Sequence, residues 1–213
     1  MDLQISREQI EKALTLEPFD VMAAHMAMLP LGRPVGRPQE LSGTARVGAV
    51  LLLLYRYQNE LFIALTKRRD DLNTHGGQIS FPGGRQDEGE RLMETAVRET
   101  EEEIGVRPDE ITLVGSLKQV YIPPSDFHVH PFVGWVTANK KPHFQPSESE
   151  VSEIIEASVL SLLDPNLRQT VKRKFRGNVY DVPYFDIQGH QVWGATAVML
   201  NEFIQRLKIV MAL

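Results

Sequence analysis

The chain has 213 residues, of which 42% are hydrophobic and 24% charged, as in a globular protein that buries a core. Its formal net charge of −5 argues against a general nucleic-acid-binding protein, because a surface that follows phosphates carries a basic excess. The sequence contains no cysteine, which excludes disulfides, thiolate metal sites and cysteine nucleophiles and is typical of the reducing cytoplasm.

The first 40 residues predict a helical extension followed by a linker. The start of the chain, MDLQISREQ, lacks the basic residues and the apolar run of a signal peptide, so we expect a cytoplasmic protein. Ser6 is the expected cap of a helix that continues to Leu16, and residues 19–29 are the candidate for a second helix. Three prolines and two glycines in residues 30–40 predict the linker.

A domain is predicted at residues 41–213, and it begins with two paired strands. The segment VGAVLLLLYRY at 47–57 predicts a buried strand, YQNE a turn, and LFIALTKR at 61–68 the antiparallel partner. The longest apolar run in the chain is about nine residues, whereas a membrane-spanning helix needs roughly 20. We therefore expect no membrane association.

The rest of the domain mixes strands with a few helices. Residues 90–104 predict a helix that ends at Gly105. Residues 153–163 fit a strand or a helix equally well. Further predicted elements are strands at 111–122 and 127–138, a strand pair at 171–193 and a closing helix at 195–207. This mixture predicts an α+β fold, an α/β/α sandwich.

The predicted helix at 90–104 lies in an acidic segment. Residues 84–106 hold eight acids and three arginines, an excess that equals the net charge of the whole chain. On a helical wheel, the core-facing positions are Leu92, Met93, Ala96, Val97, Thr100 and Ile104. The solvent side carries Glu94, Arg98 and Glu101. One edge of the core stripe carries Glu99, Glu102 and Glu103.

Three carboxylates on one ridge repel each other, and the repulsion grows where the ridge is partly buried. Arg98 alone does not offset this repulsion, whereas a bound divalent cation would. Hard oxygen ligands at this density suit Mg²⁺ or Mn²⁺, and Mg²⁺ completes its coordination with waters and substrate phosphates. The alternative is a solvated acidic helix face without a ligand.

The acidic segment resembles the Nudix box, whose pattern is G-x5-E-x7-R-E-U-x-E-E-x-G-U, where U is a bulky aliphatic residue. All seven fixed positions are matched, by Gly84, Glu90, Arg98, Glu99, Glu102, Glu103 and Gly105. Thr100 departs from the first U position. We expect its methyl group to pack in the core and its hydroxyl to bond to the preceding turn.

The resemblance implies the Nudix fold, a mixed sheet between helices, and hydrolysis of a nucleoside diphosphate linked to another group. By the family pattern, Glu99, Glu102 and Glu103 would bind metal and take part in catalysis. Arg98 would orient a carboxylate in the same catalytic group. Glu90 would hold the loop and helix together or bind a second cation. The implied cofactor is Mg²⁺ or Mn²⁺.

A second resemblance concerns the coenzyme A pyrophosphatase branch of the family, whose pattern is roughly LLTxR(S/A)xxLRxHxGxVxFPGG. The matching residues are LTKR at 65–68, His75, Gly77 and FPGG at 81–84. The departures are Ala64, Arg69, Asn73 and Ile79. WGATA at 193–197 resembles the WG-x-TA segment of the same branch. The implied partner is a small-molecule nucleotide, coenzyme A or a derivative, cleaved to 3′,5′-ADP and 4′-phosphopantetheine.

Substrate contacts are expected near this signature, from Lys67, Arg68, Arg69, His75, Gly83 and Gly84. The cations suit the 3′-phosphate, and a second basic cluster at 172–176 is the alternative for it. His75 would contact phosphate or brace its loop, and the glycines let backbone approach the ligand. The general base stays open between a glutamate of the box, Glu150 and Glu153. Trp193 is expected in the core or in a homodimer interface.

Two other functions remain open. The same fold could cleave another nucleoside diphosphate derivative, such as ADP-ribose or NADH. Alternatively, the chain is a non-catalytic nucleotide-binding module, although the complete set of seven matched positions argues against a decayed site.

Overall fold

The structure of the protein is a computed structural model that describes residues 4–32, 46–71, 76–138, 140–175 and 177–213. The helices are α1 (Arg7–Leu14), α2 (Val21–Met26), α3 (Leu92–Ile104), α4 (Val159–Leu162) and α5 (Gly194–Met211). The strands are β1 (Arg46–Tyr57), β2 (Glu60–Arg68), β3 (Ile79–Ser80), β4 (Gly83–Arg85), β5 (Ile111–Ser116), β6 (Val120–Ile122), β7 (Phe127–Val136), β8 (Val151–Ser158), β9 (Arg168–Phe175), β10 (Asn178–Ile187) and β11 (His190–Trp193).

The larger sheet is mixed, as predicted, with the order β3-β2-β1-β7-β5. β1 runs parallel to β7 and antiparallel to β2 and β4, while β6 pairs with β7 and β8 with β2. The predicted strand pair β1–β2 is confirmed. Its turn has positive φ at both Gln58 and Asn59, the backbone of a two-residue hairpin loop whose twist matches that of the strands.

Side-chain alternation along β1 divides the core into two layers. Leu51 and Leu53 pack towards α3, because successive side chains of a strand point to opposite faces. Leu52 and Leu54 pack into the larger layer with Phe203 of α5. The sheet therefore lies between helices on both faces, which confirms the predicted α/β/α sandwich.

The two helices predicted near the start of the chain are present and pack against α5. Ser6 caps α1, and its hydroxyl and backbone exchange hydrogen bonds with Gln9, as in a capping box. Glu202 of α5 is fully buried, with Arg206 Nε at 3.0 Å and His25 Nε2 at 2.7 Å. The pair of His25 with Glu202 holds α2 onto the domain, since a buried charge is tolerated only with partners.

The predictions for residues 153–163 and 171–193 differ from the structure in part. Residues 153–163 divide into the end of β8 and α4, which Ser158 caps. The predicted strand pair at 171–193 is a three-stranded sheet, because Gln188 and Gly189 both have positive φ and form a second tight turn. The predicted closing helix is confirmed as α5.

Part of the predicted linker, residues 33–40, and the start of the domain at 41–45 lie outside the described residues. The division at residue 40 stays a prediction. In the described part of the chain, no helix is long and apolar enough to cross a membrane.

Candidate active site

The acidic helix α3 is confirmed, and it ends at Gly105 in the left-handed conformation. Of the predicted core-facing positions, Ala96, Thr100 and Ile104 are buried, and Thr95 and Glu103 complete the buried face. The predicted core position of Met93 is wrong, since this side chain in the first turn is 40% exposed. The hydroxyl of buried Thr100 donates to Ala96 O at 2.7 Å, as predicted.

Glu103 lies within the buried face of α3, not along its edge. It is 7% exposed, and its one hydrogen-bond donor among the described residues is Thr66 Oγ1, 3.3 Å from Oε2. Burial, followed by the charges of Glu99 and Glu150, raises the pKa of Glu103 to about 8. Among the described residues, no cation pairs directly with this carboxylate, and the charge of Arg68 opposes only part of the shift.

Glu99 lies directly against the backbone of Gly84 in β4. A Cβ atom at Gly84 would stand 2.5 Å from the Glu99 carboxylate carbon, so this approach requires glycine. Burial raises the pKa of Glu99, while Arg98 Nη1 donates to its Oε1 at 2.9 Å and opposes that shift. β4 thus holds one face of the Glu99 carboxylate.

Arg98 connects the carboxylates at the surface of the site. Its guanidinium donates to Glu90 Oε1 at 2.9 Å, Glu99 Oε1 at 2.9 Å and Glu102 Oε2 at 3.1 Å. The Glu102 side chain is 59% exposed and can turn away, whereas Glu103 has no contact with Arg98 among those described. Arg98 therefore offsets charge on three glutamates and leaves the buried fourth one uncompensated.

Glu90 fastens the loop before α3 to the helix. Its oxygens accept hydrogen bonds from Arg98, from Thr95 Oγ1 at 2.6 Å and from the Asp87 backbone N at 3.2 Å. The Arg98 hydrogen bonds are the main cause that lowers the pKa of Glu90 to about 2. Both oxygens are engaged, which suits a structural role better than metal binding.

A later loop brings Glu150 to the same site. Two backbone N–H groups of this loop donate hydrogen bonds to the C-terminal end of α3. They are Gln145 N to Ile104 O at 2.8 Å and Ser147 N to Glu103 O at 2.9 Å. The charge of Glu150 contributes to the raised pKa of both Glu99 and Glu103.

Glu153, the other loop candidate for a general base, lies on the opposite face of the sheet. Its carboxylate is 3.3 Å from His190 Nε2. Glu153 pairs with Lys67 of β2, so the two side chains share one face of the sheet. Lys67 follows Thr66, whose side chain faces Glu103. Because successive side chains of a strand point to opposite faces, Lys67 and Glu153 point away from α3. The structure therefore brings Glu150 to the glutamates and separates Glu153 from them.

The basic substrate-binding candidates lie at different places. Arg68 faces the site, 3.6 Å from Glu150, and opposes the rise in the pKa of Glu103. Arg69 is held by both oxygens of Asp71, at 2.9 and 2.6 Å. Lys67 lies on the opposite face, and His75 lies outside the described residues.

The second basic cluster belongs to the three-stranded sheet. Arg173 stacks on Trp193 at 4.4 Å from the ring centroid, and Lys172 Nζ is 3.4 Å from Asp181. Arg176 lies outside the described residues. Lys172 and Arg173 therefore already have partners within the protein.

Sequence reasoning assigned no role to Thr66 or Ser80, whose hydroxyl oxygens are 3.4 Å apart next to Glu103. The alternation of side chains along β2 could have indicated Thr66, because every second side chain of a strand lies on the same face. Ala64, Thr66 and Arg68 all point towards α3 by this rule.

The donor set suits a hard divalent cation. Carboxylate oxygens dominate it, and a cation would offset the burial and the repulsion that together raise the pKa of Glu103. Among the described residues, however, no three Asp, Glu or His side chains are placed to hold a metal ion together. Because Arg98 engages Glu99 and Glu102, forming a ligand set requires these side chains to rotate.

We expect Gly84→Ala to lower kcat by about 10²-fold, the cost of displacing a catalytic group by about 1 Å. The new methyl group would push the Glu99 carboxylate away, and this flexible side chain can yield with little loss of stability. The matched control is Gly189→Ala, where φ is +84° and space is open. It should lower Tm while steady-state turnover is unchanged. Wild-type turnover in Gly84→Ala would contradict the role of this contact.

Comparison with known proteins adds independent findings. Residues 45–179 match the model of the NUDIX domain. The chain is 32% identical over 178 residues to Nudix hydrolase 3 of Caenorhabditis elegans, covering 75% of this chain and 72% of that protein. It is 35% identical over 150 residues to the Nudix hydrolase NudL of Pectobacterium atrosepticum, covering 66% and 72%.

The fold also resembles solved structures. RenU, a Nudix hydrolase from M. smegmatis, superposes with a TM-score of 0.52 over 79% of this chain and 86% of that one, at 17% identity. At this identity the likeness concerns the fold alone.

Proposed function

Because the chain belongs to the NUDIX domain family, whose similar members are named hydrolases, we propose that it hydrolyses the diphosphate bond of coenzyme A or a derivative. The products would be 3′,5′-ADP and 4′-phosphopantetheine. The reaction is supported chiefly by the convergence of Glu99, Glu103 and Glu150 beside the glycine strand β4. The choice of coenzyme A rests on the signature residues at 65–84 and 193–197.

Glu99, Glu102 and Glu103 would hold Mg²⁺ or Mn²⁺, which supplies neutralisation of phosphate charge and a lowered pKa of water. Arg98 orients Glu99 and Glu102 through the hydrogen bonds that it makes in the free protein. To join the ligand set, Glu102 would have to turn away from Arg98, which its exposure permits. Glu90 holds the loop and helix together instead of binding a second cation, because both its oxygens are occupied.

Glu150 is the general base in this proposal. It lies on a loop anchored to α3, and its charge acts on both Glu99 and Glu103. A base in this position would accept the proton from the attacking water as the bond from the water oxygen to phosphorus forms. The bond from that phosphorus to the bridging oxygen would break, and the second phosphate group would leave with the bridging oxygen. Arg68, 3.6 Å from Glu150, would orient the base and supply a positive group for the substrate phosphates.

The proposed function is tested by mass spectrometry of the products formed from coenzyme A with Mg²⁺, beside a panel of ADP-ribose and NADH. We expect 3′,5′-ADP and 4′-phosphopantetheine, with coenzyme A turned over fastest. Faster turnover of ADP-ribose would reject coenzyme A as the substrate while keeping the reaction class. No cleavage of any diphosphate by the folded protein would favour a binding module.

A further inference from the structure

The hydroxyl of Thr66 lies between Glu103 and the short strand β3. Its Oγ1 is 3.3 Å from Glu103 Oε2 and 3.4 Å from both Ser80 Oγ and Ser80 O. Thr66 is 3% exposed, so bulk water does not substitute for these partners. We propose that Thr66 is a positioning residue that fixes the Glu103 carboxylate through a chain of hydroxyls beginning at Ser80.

The orientation of the Glu103 side chain depends on the Thr66 hydrogen bond, whereas the neighbouring glutamates are oriented by Arg98. Arg98 orients Glu90, Glu99 and Glu102, but Thr66 supplies the one hydrogen bond to the Glu103 side chain in the described part of the protein. The bond goes to Oε2, which leaves Oε1 for a ligand. The distances from Thr66 Oγ1 to Glu103 Oε2 and to Ser80 Oγ are long for O–H···O hydrogen bonds. Catalytic hydrogen bonds are often long in a free enzyme and shorten when the substrate complex forms.

The direction of the chain follows from the chemistry of hydroxyl groups. Each hydroxyl donates one proton and accepts through its lone pairs. When Thr66 donates to the charged Glu103 carboxylate, its oxygen is free to accept from Ser80 Oγ. A hydroxyl that accepts one hydrogen bond is polarised by it, and the hydrogen bond that the same hydroxyl donates becomes stronger. Ser80 therefore supports the bond that Thr66 makes.

Ser80 is in turn held from the other side of the sheet. β3 comprises two residues, and the Thr196 hydroxyl of α5 donates to the Ile79 carbonyl at 2.9 Å. Thr196 belongs to the WGATA segment, which the proposed reaction does not otherwise use. This link gives that segment a role, the support of the strand that carries Ser80.

Thr66→Val tests the hydroxyl with the shape of the side chain preserved. The inference rests on the proposed function, and we expect kcat to fall about tenfold with KM changed less than about twofold, because the hydrogen bond to a charged group is lost. Thr66→Ser keeps the hydroxyl and should stay within about twofold of wild type. The matched control is Thr100→Val, whose hydroxyl bonds only to Ala96 O among the described residues.

A second readout does not require turnover. Mn²⁺ binding, followed by electron paramagnetic resonance, should weaken several-fold in Thr66→Val and stay unchanged in Thr66→Ser and Thr100→Val. Ser80→Ala should weaken binding less than Thr66→Val does. Tm of each variant without metal confirms that it is folded.

The outcomes separate this inference from the proposed function. Wild-type turnover and Mn²⁺ affinity in Thr66→Val would overturn it, as would equal losses in Thr66→Val and Thr66→Ser, since packing would then be the cause. If wild type binds Mn²⁺ but cleaves no diphosphate, the proposed function fails while the Mn²⁺ comparison still decides the role of Thr66. If Thr66→Val does not fold, unchanged Mn²⁺ affinity in Ser80→Ala overturns the inference.

Discussion

Glu103→Gln is expected to abolish hydrolysis, lowering kcat by at least about 10³-fold, the scale reached when one member of a catalytic unit is removed. Glu103 is the most buried acid of the site and lacks a cationic partner among the described residues. Its amide replacement keeps the shape but removes the negative charge that binds a cation. Steady-state assays with Mg²⁺ at saturating substrate measure this loss.

The same variant should be more stable than wild type without metal. Burial raises the pKa of Glu103 to about 8, above the ordinary value near 4.5 that applies in the unfolded chain. The folded state therefore binds this proton more tightly, and wild-type stability falls as the pH rises from about 4.5 to 8. A pKa rise from 4.5 to about 8 corresponds to roughly 5 kcal/mol at most. Glutamine removes this penalty, and relief of even about 2 kcal/mol would raise Tm by roughly 4–8 °C.

Thermal melts in EDTA at pH 5 and pH 8.5 check this expectation. The difference in Tm between Glu103→Gln and wild type should be large at pH 8.5 and small at pH 5. Glu101→Gln is the matched control, because Glu101 is exposed on the same helix, and it should change neither Tm nor turnover. Retained hydrolysis in Glu103→Gln would contradict the role assigned to this carboxylate.

Glu150→Gln is expected to lower kcat by about 10³-fold, within the range that general acid–base catalysis contributes. The carboxamide keeps the side-chain shape but cannot accept a proton from water at neutral pH. Mn²⁺ affinity should change little, because the ligands on α3 are intact.

Glu153→Gln provides the control for this change. Glu153 lies in the same part of the sequence but on the opposite face of the sheet, next to His190. Its turnover should equal that of wild type. If Glu153→Gln loses activity and Glu150→Gln keeps it, the base has been assigned to the wrong residue.

Local patterns predicted the local structure well. The strand pair β1–β2 and the helix α3 follow from periodicity, a turn signal and a helix-ending glycine, all of which are short-range. The parallel pairing of β1 with β7 could not be predicted in this way, because it joins residues some 80 positions apart with no local signal. The alternative readings at 153–163 were decided by pairing of β8 with β2.

The candidate site was predictable where a spacing encodes it. The Nudix spacing predicted the glutamates of α3 as site residues, but the helical wheel placed Glu103 at an edge of the core stripe, because a wheel carries no information on the position of the sheet. The choice between Glu150 and Glu153 depended on a loop bound to the end of α3. By contrast, the separation of Lys67 from Arg68 was available from strand alternation alone.

The central claim is that the carboxylates of α3 are tolerated because they bind divalent cations that act on a diphosphate. The most direct test is a Mn²⁺ titration of the folded protein at pH 8, with and without a diphosphate nucleotide, by electron paramagnetic resonance. Wild type should bind Mn²⁺, more tightly with the nucleotide, and Glu103→Gln should lose this binding. Absence of binding in wild type under both conditions, or equal binding by Glu103→Gln, would contradict the claim.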